Sequence, residues 1–378
     1  MISITAPQLR GRPVAALCLL AMLWLASAAV SAQPSGAEAP ADTPLTLDSD
    51  VALPEGLWPP AKIVMPAPSV AVAPPEPLTP PPVKTLTIML DWFLSPQHAP
   101  LLLAKVQGFY QKEGLDVTLR PPADPSLPAK LLAAGEVDAA LARQPLLHLR
   151  NHDGSRLVRI ATLMETPLNA VIVAGDAASK ELDALATRTY GYATQEGAEL
   201  IVPLLVPDSV RQTDGYTAPR NVHYSGEREL RQGNIDIMVD GFDHALPTRL
   251  ATDGIATRVI PYTELGLPVH DGLILMINGD TLNERKLTWQ HLTAALGRAT
   301  RWIAQNPKRA WQTLIEAYPV LDNSANEAAW PALVRRMALR PAAVDSRRYR
   351  RLEAFLQDRG ITDARLPTST LAADPHAL

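Results

Sequence analysis

The sequence of 378 residues predicts an α/β fold built as two doubly wound lobes. From Thr85 onward, apolar β-branched runs alternate with helical patterns, which is typical of a mainly parallel sheet with right-handed crossovers. A second alternating run begins near Ala186, and an apolar segment at 272–277 predicts a strand that returns to the first lobe. These observations predict a hinge that the chain crosses twice, near Ala170 and near Val269.

Up to residue 174, apolar runs bounded by Gly and Pro predict the strands, and apolar residues at helical spacing predict the helices. The predicted strands are 85–90, 116–119, 137–141, 157–163 and 168–174. The predicted helices are 99–112, 126–134 and 145–152.

The same signals continue through the second lobe and the C-terminal part. The predicted strands are 187–192, 220–223, 235–239 and 256–261, with helices at 197–206, 227–233 and 244–252. Long helical patterns at 289–305, 307–318, 327–337 and 346–358 follow the returning strand.

The N-terminal 83 residues do not show this alternation. Arg10 and Arg12 precede an apolar run, and Val30-Ser31-Ala32 is typical of a signal-peptide cleavage site, so residues 1–32 are predicted to direct export. Residues 33–83 hold fourteen of the 36 prolines and are predicted to form an extended linker, either a functional spacer or plain disorder. We therefore expect lobe 1 at 84–170 and 269–378, and lobe 2 at 171–268.

Composition excludes several kinds of chemistry. The net charge of −4 shows no basic footprint for nucleic acid. The single cysteine, Cys18, lies in the predicted signal, so a cleaved chain would have neither a disulfide nor a thiol nucleophile. His148 and His152 are four residues apart, but no third metal ligand is evident beside them except Asp153. No metal and no cofactor are expected.

Three polar or aromatic residues cluster where the first strand gives way to a helix. Asp91 and Trp92 follow the strand, and His98 stands at the head of the helix. Ligands of open α/β sheets bind at such carboxyl ends of strands. Trp92 offers a face for stacking a flat ring, or is an ordinary core tryptophan. Asp91 accepts hydrogen bonds from an amine or caps the turn, and His98 lines a pocket or points to water.

The segment LDWFLSPQHAPLLLAKVQGFYQKEGLDV, from Leu90 to Val117, resembles the family of pyrimidine-precursor binding proteins and the related thiamine-pyrimidine synthases. Further similar segments are PPADPSLPAKLLAAGEVDAALARQP, TPLNAVIV, YGYATQEG, GNIDIMVDGF and PYTELGLPVHDGLILMIN. The resemblance implies a periplasmic-binding-protein type fold, class II-like, whose two lobes close over a small solute. It also implies that His98 matches a histidine that lines the pocket in binding proteins and is consumed in synthases.

Strand ends at the hinge and in lobe 2 supply further candidate solute-binding residues. Asn169 would present its amide at the hinge, Tyr192 would cover the second face of the ring, and Glu196 would pair with an amino group. Thr194 would contribute to the site or cap the next helix. Asp240 and Asp243 are weaker candidates. The sequence departs from the family's Arg-Asn-x-Glu-like cluster, because residues 243–246 read Asp-His-Ala-Leu.

Four functions are compatible with these features. The first is a periplasmic solute-binding protein of an ABC uptake system, a monomer that delivers an aminopyrimidine precursor of thiamine to an inner-membrane permease. The second is a binding protein for a sulfonate, taurine or nitrate, held at helix N-termini. The third is a pyrimidine synthase, disfavoured because DGLIL replaces its cysteine-rich motif. The fourth is a sensory module held at the membrane by an uncleaved signal.

Overall fold

The computed structural model describes residues 83–377 apart from 180, 182 and 215. The predicted signal peptide and almost all of the predicted proline-rich linker lie outside these residues. Within the described part, no helix has the length and apolar character needed to cross a membrane.

The first sheet has five strands in the order β2-β1-β3-β10-β4. They are β1 Lys84–Met89, β2 Leu115–Arg120, β3 Ala139–Ala142, β4 Leu157–Met164 and β10 Leu273–Asn278. β1 runs parallel to β2 and β3, whereas β10 lies antiparallel between β3 and β4. The predicted doubly wound α/β architecture is confirmed, with one antiparallel strand in this sheet.

The second sheet repeats this arrangement, with the strand order β7-β6-β8-β5-β9. Its strands are β5 Asn169–Ala174, β6 Tyr190–Tyr192, β7 Arg220–Asn221, β8 Ile237–Phe242 and β9 Thr257–Ile260. β6 runs parallel to β7 and β8, and β5 lies antiparallel between β8 and β9. In each sheet the strand that lies antiparallel between two neighbours, β5 or β10, is the first strand after a crossing between the sheets.

Helices connect the strands and cover the sheets. In the first part of the chain they are α1 Ala99–Val106, α2 Phe109–Lys112, α3 Leu127–Ala133 and α4 Gln144–His152. Those around the second sheet are α5 Val202–Leu205, α6 Asp208–Arg211, α7 Gly226–Arg231 and α8 Leu246–Ala251. After β10 come α9 Thr281–Glu284, α10 Lys286–Gln305, α11 Pro307–Ala317, α12 Ser324–Arg336, α13 Ser346–Asp358 and α14 Thr368–Leu371.

Two predicted helices are interrupted for identifiable reasons. The helix predicted at 99–112 is divided between α1 and α2, because Gly108 adopts a φ of 68°, in the left-handed region. The helix predicted at 197–206 begins instead as a π-helix, Gly197–Ile201, which leads into α5. π-Helical turns of this kind are often found at functional sites.

The two crossings between the sheets lie against each other. The chain leaves the first sheet after Met164 and returns just before Leu273. Gly272 donates its N–H to the Met164 carbonyl at 2.9 Å, and a Cβ on Gly272 would lie 1.9 Å from the Thr166 carbonyl oxygen. Only glycine allows so close an approach, so the two crossing segments are held together at this point.

Each sheet has its own core. The first is built on Leu86, Ile88, Leu275 and Trp289, and the second on Val171, Ile237, Leu200 and Val239; all eight side chains are fully buried. Burying apolar surface at roughly 25 cal/mol per Å² makes each core a substantial source of stability. The polar groups between the sheets are therefore positioned by two separate hydrophobic cores, one on each side.

Candidate functional site

Asp91 and His98 form a buried pair at the carboxyl end of β1. Ser95 precedes the 3-10 turn Pro96–His98, and its backbone N–H donates to His98 Nδ1 at 3.2 Å. Because Nδ1 accepts a hydrogen bond, Nε2 carries the proton and donates to Asp91 Oδ1 at 2.8 Å. His98 is fully buried, so the alternative in which it points to water is wrong.

Asp91 is held as a carboxylate by its neighbours. Gln97 donates through Nε2 to Asp91 Oδ2 at 3.2 Å, and Arg143 Nη2 lies 3.4 Å from the same oxygen. Burial alone would raise the pKa of Asp91. The hydrogen bond from His98 and the charge of Arg143 prevail and hold the pKa below its ordinary value. The side chain of Asp91 thus faces its protein partners within the cleft.

Arg143 joins the two sheets and was missed in the sequence analysis. It follows β3 and precedes α4, and it is 7% exposed. Its Nε donates to Asn169 Oδ1 at 2.9 Å, and its Nη1 lies 3.7 Å from Glu196 Oε1. Its position directly after the apolar run AALA was the available signal, since a charge at that edge of a parallel sheet faces the crevice.

The second sheet contributes a carboxylate that organises the backbone. Asp240 Oδ2 accepts hydrogen bonds from the N–H of Thr194 at 2.8 Å and from its hydroxyl at 2.7 Å. Thr194 Oγ1 also accepts from Gly197 N at 3.2 Å, so Thr194 caps the next helix while it contacts Asp240. Asn169 donates to the Asp240 carbonyl at 2.6 Å. The start of the π-helix is fixed in this way.

Glu196 differs from the other carboxylates because its oxygens are not used. It is 4% exposed, and neither oxygen has a hydrogen-bond partner in the described part of the chain. Burial raises the pKa of Glu196 above its ordinary value, although Arg143 opposes this effect. Burial likewise raises the pKa of Asp240. We call Asp91, His98, Arg143, Glu196 and Asp240 the charged cluster.

A small cavity opens beside Glu196. Its volume is about 10 Å³, which is room for one water-sized group. The polar residues that line it are Arg143, Asn169, Glu196, Tyr262 and His270. Among the described residues no partner satisfies Arg143 Nη2 by a hydrogen bond. The lining of this cavity thus includes a carboxylate and a guanidinium that form ion pairs but have atoms without a hydrogen bond among the described residues.

Trp92 lies in a separate group of rings, which we call the aromatic cluster: Trp92, Phe93, Tyr224 and Phe242. The Trp92 ring centroid is 4.7 Å from that of Tyr224 and 5.4 Å from that of Phe242, both in edge-on geometry. Phe93 lies 5.4 Å from Trp92. Cavities of about 160 and 50 Å³ adjoin this cluster. The rings thus leave more space than the charged cluster does.

Tyr192 does not take the place expected for it. Its side chain is half-buried and packs against the core of the second sheet, and the lobe 2 rings that contact Trp92 are Tyr224 and Phe242. The remaining predicted residues, Asn169, Thr194 and Glu196, lie in or beside the charged cluster.

Several contacts join the lobes around the cleft. Tyr224 donates to the Pro122 carbonyl at 2.8 Å, and His223 pairs with Asp124. Asp243, a weaker candidate by sequence, accepts two hydrogen bonds from Arg336 at 2.9 Å each. These contacts join the two sides of the cleft, and Asp243 takes part in one of them.

The pair His148 and His152 has a structural explanation. His148 Nδ1 lies 2.5 Å from Glu353 Oε1, and His152 Nε2 lies 3.0 Å from Glu353 Oε2. No group of three or more His, Cys, Asp or Glu side chains in the described part could hold a metal ion. The two histidines therefore attach α4 to α13.

The two sheets have the same strand order, and polar side chains from both meet in one cleft. This arrangement is that of the periplasmic-binding-protein fold. A structure from Bordetella bronchiseptica has a TM-score of 0.63 at 18% identity, covering 77% of this chain and 94% of the other. The alkanesulfonate-binding protein SsuA of Xanthomonas axonopodis pv. citri, bound to MOPS, has a TM-score of 0.56 at 15% identity, covering 77% and 98%. At these identities the likeness shows the fold.

The chain belongs to the NMT1/THI5 like family, whose profile matches residues 95–310. A protein of Haemophilus influenzae, provisionally named a thiamine biosynthesis protein, is 32% identical over 293 residues, which cover 76% of this chain and 91% of that protein. The formylaminopyrimidine-binding protein of Halalkalibacterium halodurans is 26% identical, covering 66% and 74%. A Saccharomyces cerevisiae protein named 4-amino-5-hydroxymethyl-2-methylpyrimidine phosphate synthase is 26% identical, covering 63% and 72%.

Proposed function

We propose that this protein is an exported solute-binding protein that captures an aminopyrimidine precursor of thiamine by closure of its two lobes. It would release the solute to an ABC permease in the inner membrane, acting as a periplasmic monomer without a cofactor. The names of the H. influenzae and H. halodurans relatives, both linked to thiamine or to a formylaminopyrimidine, support this choice of solute.

The observation that carries the proposal is the carboxylate of Glu196, which has the Arg143 guanidinium 3.7 Å away but accepts no hydrogen bond from the described residues. A buried carboxylate without hydrogen bonds is costly unless a donor reaches it, because a guanidinium at 3.7 Å offsets only part of its desolvation. An exocyclic amine on a flat ring supplies such a donor, and the aromatic cluster next to Phe242 supplies faces and edges for the ring. Arg143, whose guanidinium lies 5.5 Å from the Phe242 ring centroid, joins the two parts.

The balance of charge favours an amine over an anion. Three buried carboxyl groups, Asp91, Glu196 and Asp240, surround the single guanidinium of Arg143. A sulfonate or nitrate in this cleft would meet these carboxylates at short range in a medium of low dielectric constant. The sulfonate-type alternative therefore requires the burial of like charges together.

Three features support a binding protein over a synthase. The segment DGLIL, which lies at the start of β10, holds no cysteine. The described lysines nearest in sequence to the first strand end are engaged or exposed elsewhere; Lys105, for example, donates to the Val117 carbonyl at 3.0 Å. His98, the residue that matches the consumed histidine of synthases, is fully buried against Asp91.

The test is calorimetric titration of residues 84–378 with 4-amino-5-hydroxymethyl-2-methylpyrimidine, its formylaminomethyl analogue, thiamine, taurine, an alkanesulfonate and nitrate. We expect binding of the aminopyrimidines alone. Glu196→Gln should weaken that binding at least tenfold, about 1.4 kcal/mol, because a charged acceptor becomes a neutral amide.

Glu199→Gln is the matched control, since Glu199 is exposed one turn further along the same helix. It should leave affinity unchanged. Binding of the sulfonates alone would overturn the choice of solute while keeping the fold, and turnover of a bound pyrimidine would revive the synthase alternative. An equal loss in both glutamate variants would mean that Glu196 does not contact the solute.

The pH dependence follows from the raised pKa of Glu196. An amine pairs with the ionised carboxylate, so affinity should fall as the pH falls through that raised value, by up to about tenfold per pH unit. Glu196→Gln is titrated in parallel, because it lacks the titrating carboxylate but keeps every other group. The difference between the two titrations therefore isolates Glu196, and parallel curves would contradict the assignment.

A further inference from the structure

His270 is a buried histidine in the same cavity, outside the set of residues that the sequence singled out. It lies in the segment that leads back to the first sheet, directly before Asp271, and it is 2% exposed. It lines the cavity together with Glu196, Arg143 and Tyr262. Its ring is nearly parallel to that of Tyr262, at an interplanar angle of 16°.

The hydrogen bond of this ring determines which nitrogen faces outward as an acceptor. His270 Nδ1 lies 2.9 Å from the Pro268 carbonyl oxygen, which can only accept. Nδ1 therefore carries the proton, and Nε2 presents a lone pair. Within the described residues, the bond to Pro268 is the only hydrogen bond that this ring makes.

The ring is held in its neutral form at ordinary pH. Burial lowers the pKa of His270 to about 4, against the opposing effects of the Pro268 carbonyl and Asp271. Nε2 thus remains an acceptor across the range in which most proteins operate.

Residues that line this cavity thus supply two kinds of acceptor that take no hydrogen bond from the described residues. These are the oxygens of Glu196 and the Nε2 of His270. A hydroxyl has one proton and can satisfy one of them, whereas an exocyclic amine, like a water molecule, has two. The amine matches the pair.

We propose that His270 is a specificity-determining residue that accepts one N–H of the solute's exocyclic amine while Glu196 accepts the other. This inference rests on the proposed function, because it specifies how the aminopyrimidine is distinguished. The pyrimidine with an oxo group in place of the amine presents an oxygen to two acceptors. Polar groups left unpaired in this way are what allow a site to reject a close analogue strongly.

The experiment compares 4-amino- and 4-oxo-5-hydroxymethyl-2-methylpyrimidine in wild type and His270→Gln. Wild type should bind the amine at least a hundredfold more tightly. A glutamine amide can rotate to offer either its oxygen or its N–H₂, so His270→Gln should lower this ratio at least tenfold, mainly by gaining affinity for the oxo compound. A side chain with a purely structural role would weaken both solutes by the same factor.

His291→Gln is the matched control. His291 also has its Nδ1 at a carbonyl, that of Glu113 at 2.8 Å, but it is exposed on α10. Its substitution should leave the ratio unchanged. An unchanged ratio in His270→Gln, or an equal fall in the control, would overturn the assignment.

Nitrogen NMR of the wild-type histidines gives a second measurement that does not depend on the variant folding. At neutral pH, His270 should show a protonated Nδ1 and an unprotonated Nε2, and the Nε2 resonance should move when the amine binds. Wild type that binds neither pyrimidine refutes the proposed function, and the solute assigned to His270 falls with it. If the amine binds while His270 carries a proton on Nε2, the proposed function stands and the His270 assignment alone is refuted.

Discussion

The charged cluster and the aromatic cluster lie side by side between the same two sheets, yet they are organised differently. In the charged cluster most polar atoms are already paired: Asp91 accepts from His98 at 2.8 Å, and Asp240 accepts from Thr194 at 2.7 Å. In the aromatic cluster the rings touch edge-on and leave cavities of about 160 and 50 Å³. The charged cluster holds most of its polar atoms in fixed hydrogen bonds, whereas the aromatic cluster leaves open space.

The largest effect is expected for Arg143→Met, which removes the only guanidinium of the charged cluster. Two or three buried carboxyl groups would lose their counter-charge, and such losses typically cost about 3–5 kcal/mol. Urea unfolding of the free protein measures this change.

Arg335→Met is the control, because Arg335 is exposed near the end of α12. It should change the free energy of unfolding by less than about 0.5 kcal/mol. A loss below about 1 kcal/mol for Arg143→Met would show that the charged cluster relaxes or protonates without cost. The charged cluster would then be adaptable, and the contrast with the aromatic cluster would no longer hold.

An intermediate effect is expected for Trp92→Ala in the aromatic cluster. Loss of the stacking or edge contact should weaken solute binding at least tenfold, about 1.4 kcal/mol, while the fold is retained. Trp302→Ala, at a half-buried tryptophan of α10 outside the cleft, should leave affinity unchanged. Calorimetric titration of both variants sharpens the comparison, since equal affinities would remove Trp92 from the site.

The smallest effect is expected for Tyr224→Phe. This variant keeps the ring next to Trp92 but loses the 2.8 Å hydrogen bond to the Pro122 carbonyl, which joins the lobes. A hydrogen bond contributes about 0.5–1.5 kcal/mol, so affinity should fall about two- to tenfold through a less favourable closure.

Tyr110→Phe serves as its control, because the buried Tyr110 hydroxyl has no hydrogen-bond partner in the described part of the chain. It should not weaken binding. If Tyr224→Phe binds as wild type does, the aromatic cluster acts through its rings alone.

Much of the fold follows from local patterns, and the exceptions have physical causes. The buried run of β1 and the amphipathic face of α13 are visible in the sequence because each depends on its own periodicity. The antiparallel direction of β5 and β10 is not visible, since a strand's direction depends on which edge it meets after a crossing. The order of the strands within a sheet depends on segments that are far apart in the sequence.

The candidate site shows the same division. Asp91 and His98 were found because they stand seven residues apart at one strand end, where their meeting is local. Arg143 was missed because its role depends on Asn169 and Glu196, which reach it from the second sheet. Tyr224 was missed in favour of Tyr192 because only the closed lobes place a ring beside Trp92.

The two sheets also differ in how their strands are distributed along the chain. All five strands of the second sheet come from one continuous stretch, from β5 to β9, whereas the first sheet needs β10 to fill the gap between β3 and β4. A chain that is synthesised from its N-terminus can therefore complete the second sheet before β10 is made. At that stage the position between β3 and β4 in the first sheet is still empty. The first sheet then has two unpaired strand edges, on β3 and β4. We expect a chaperone to be needed most at this stage of folding.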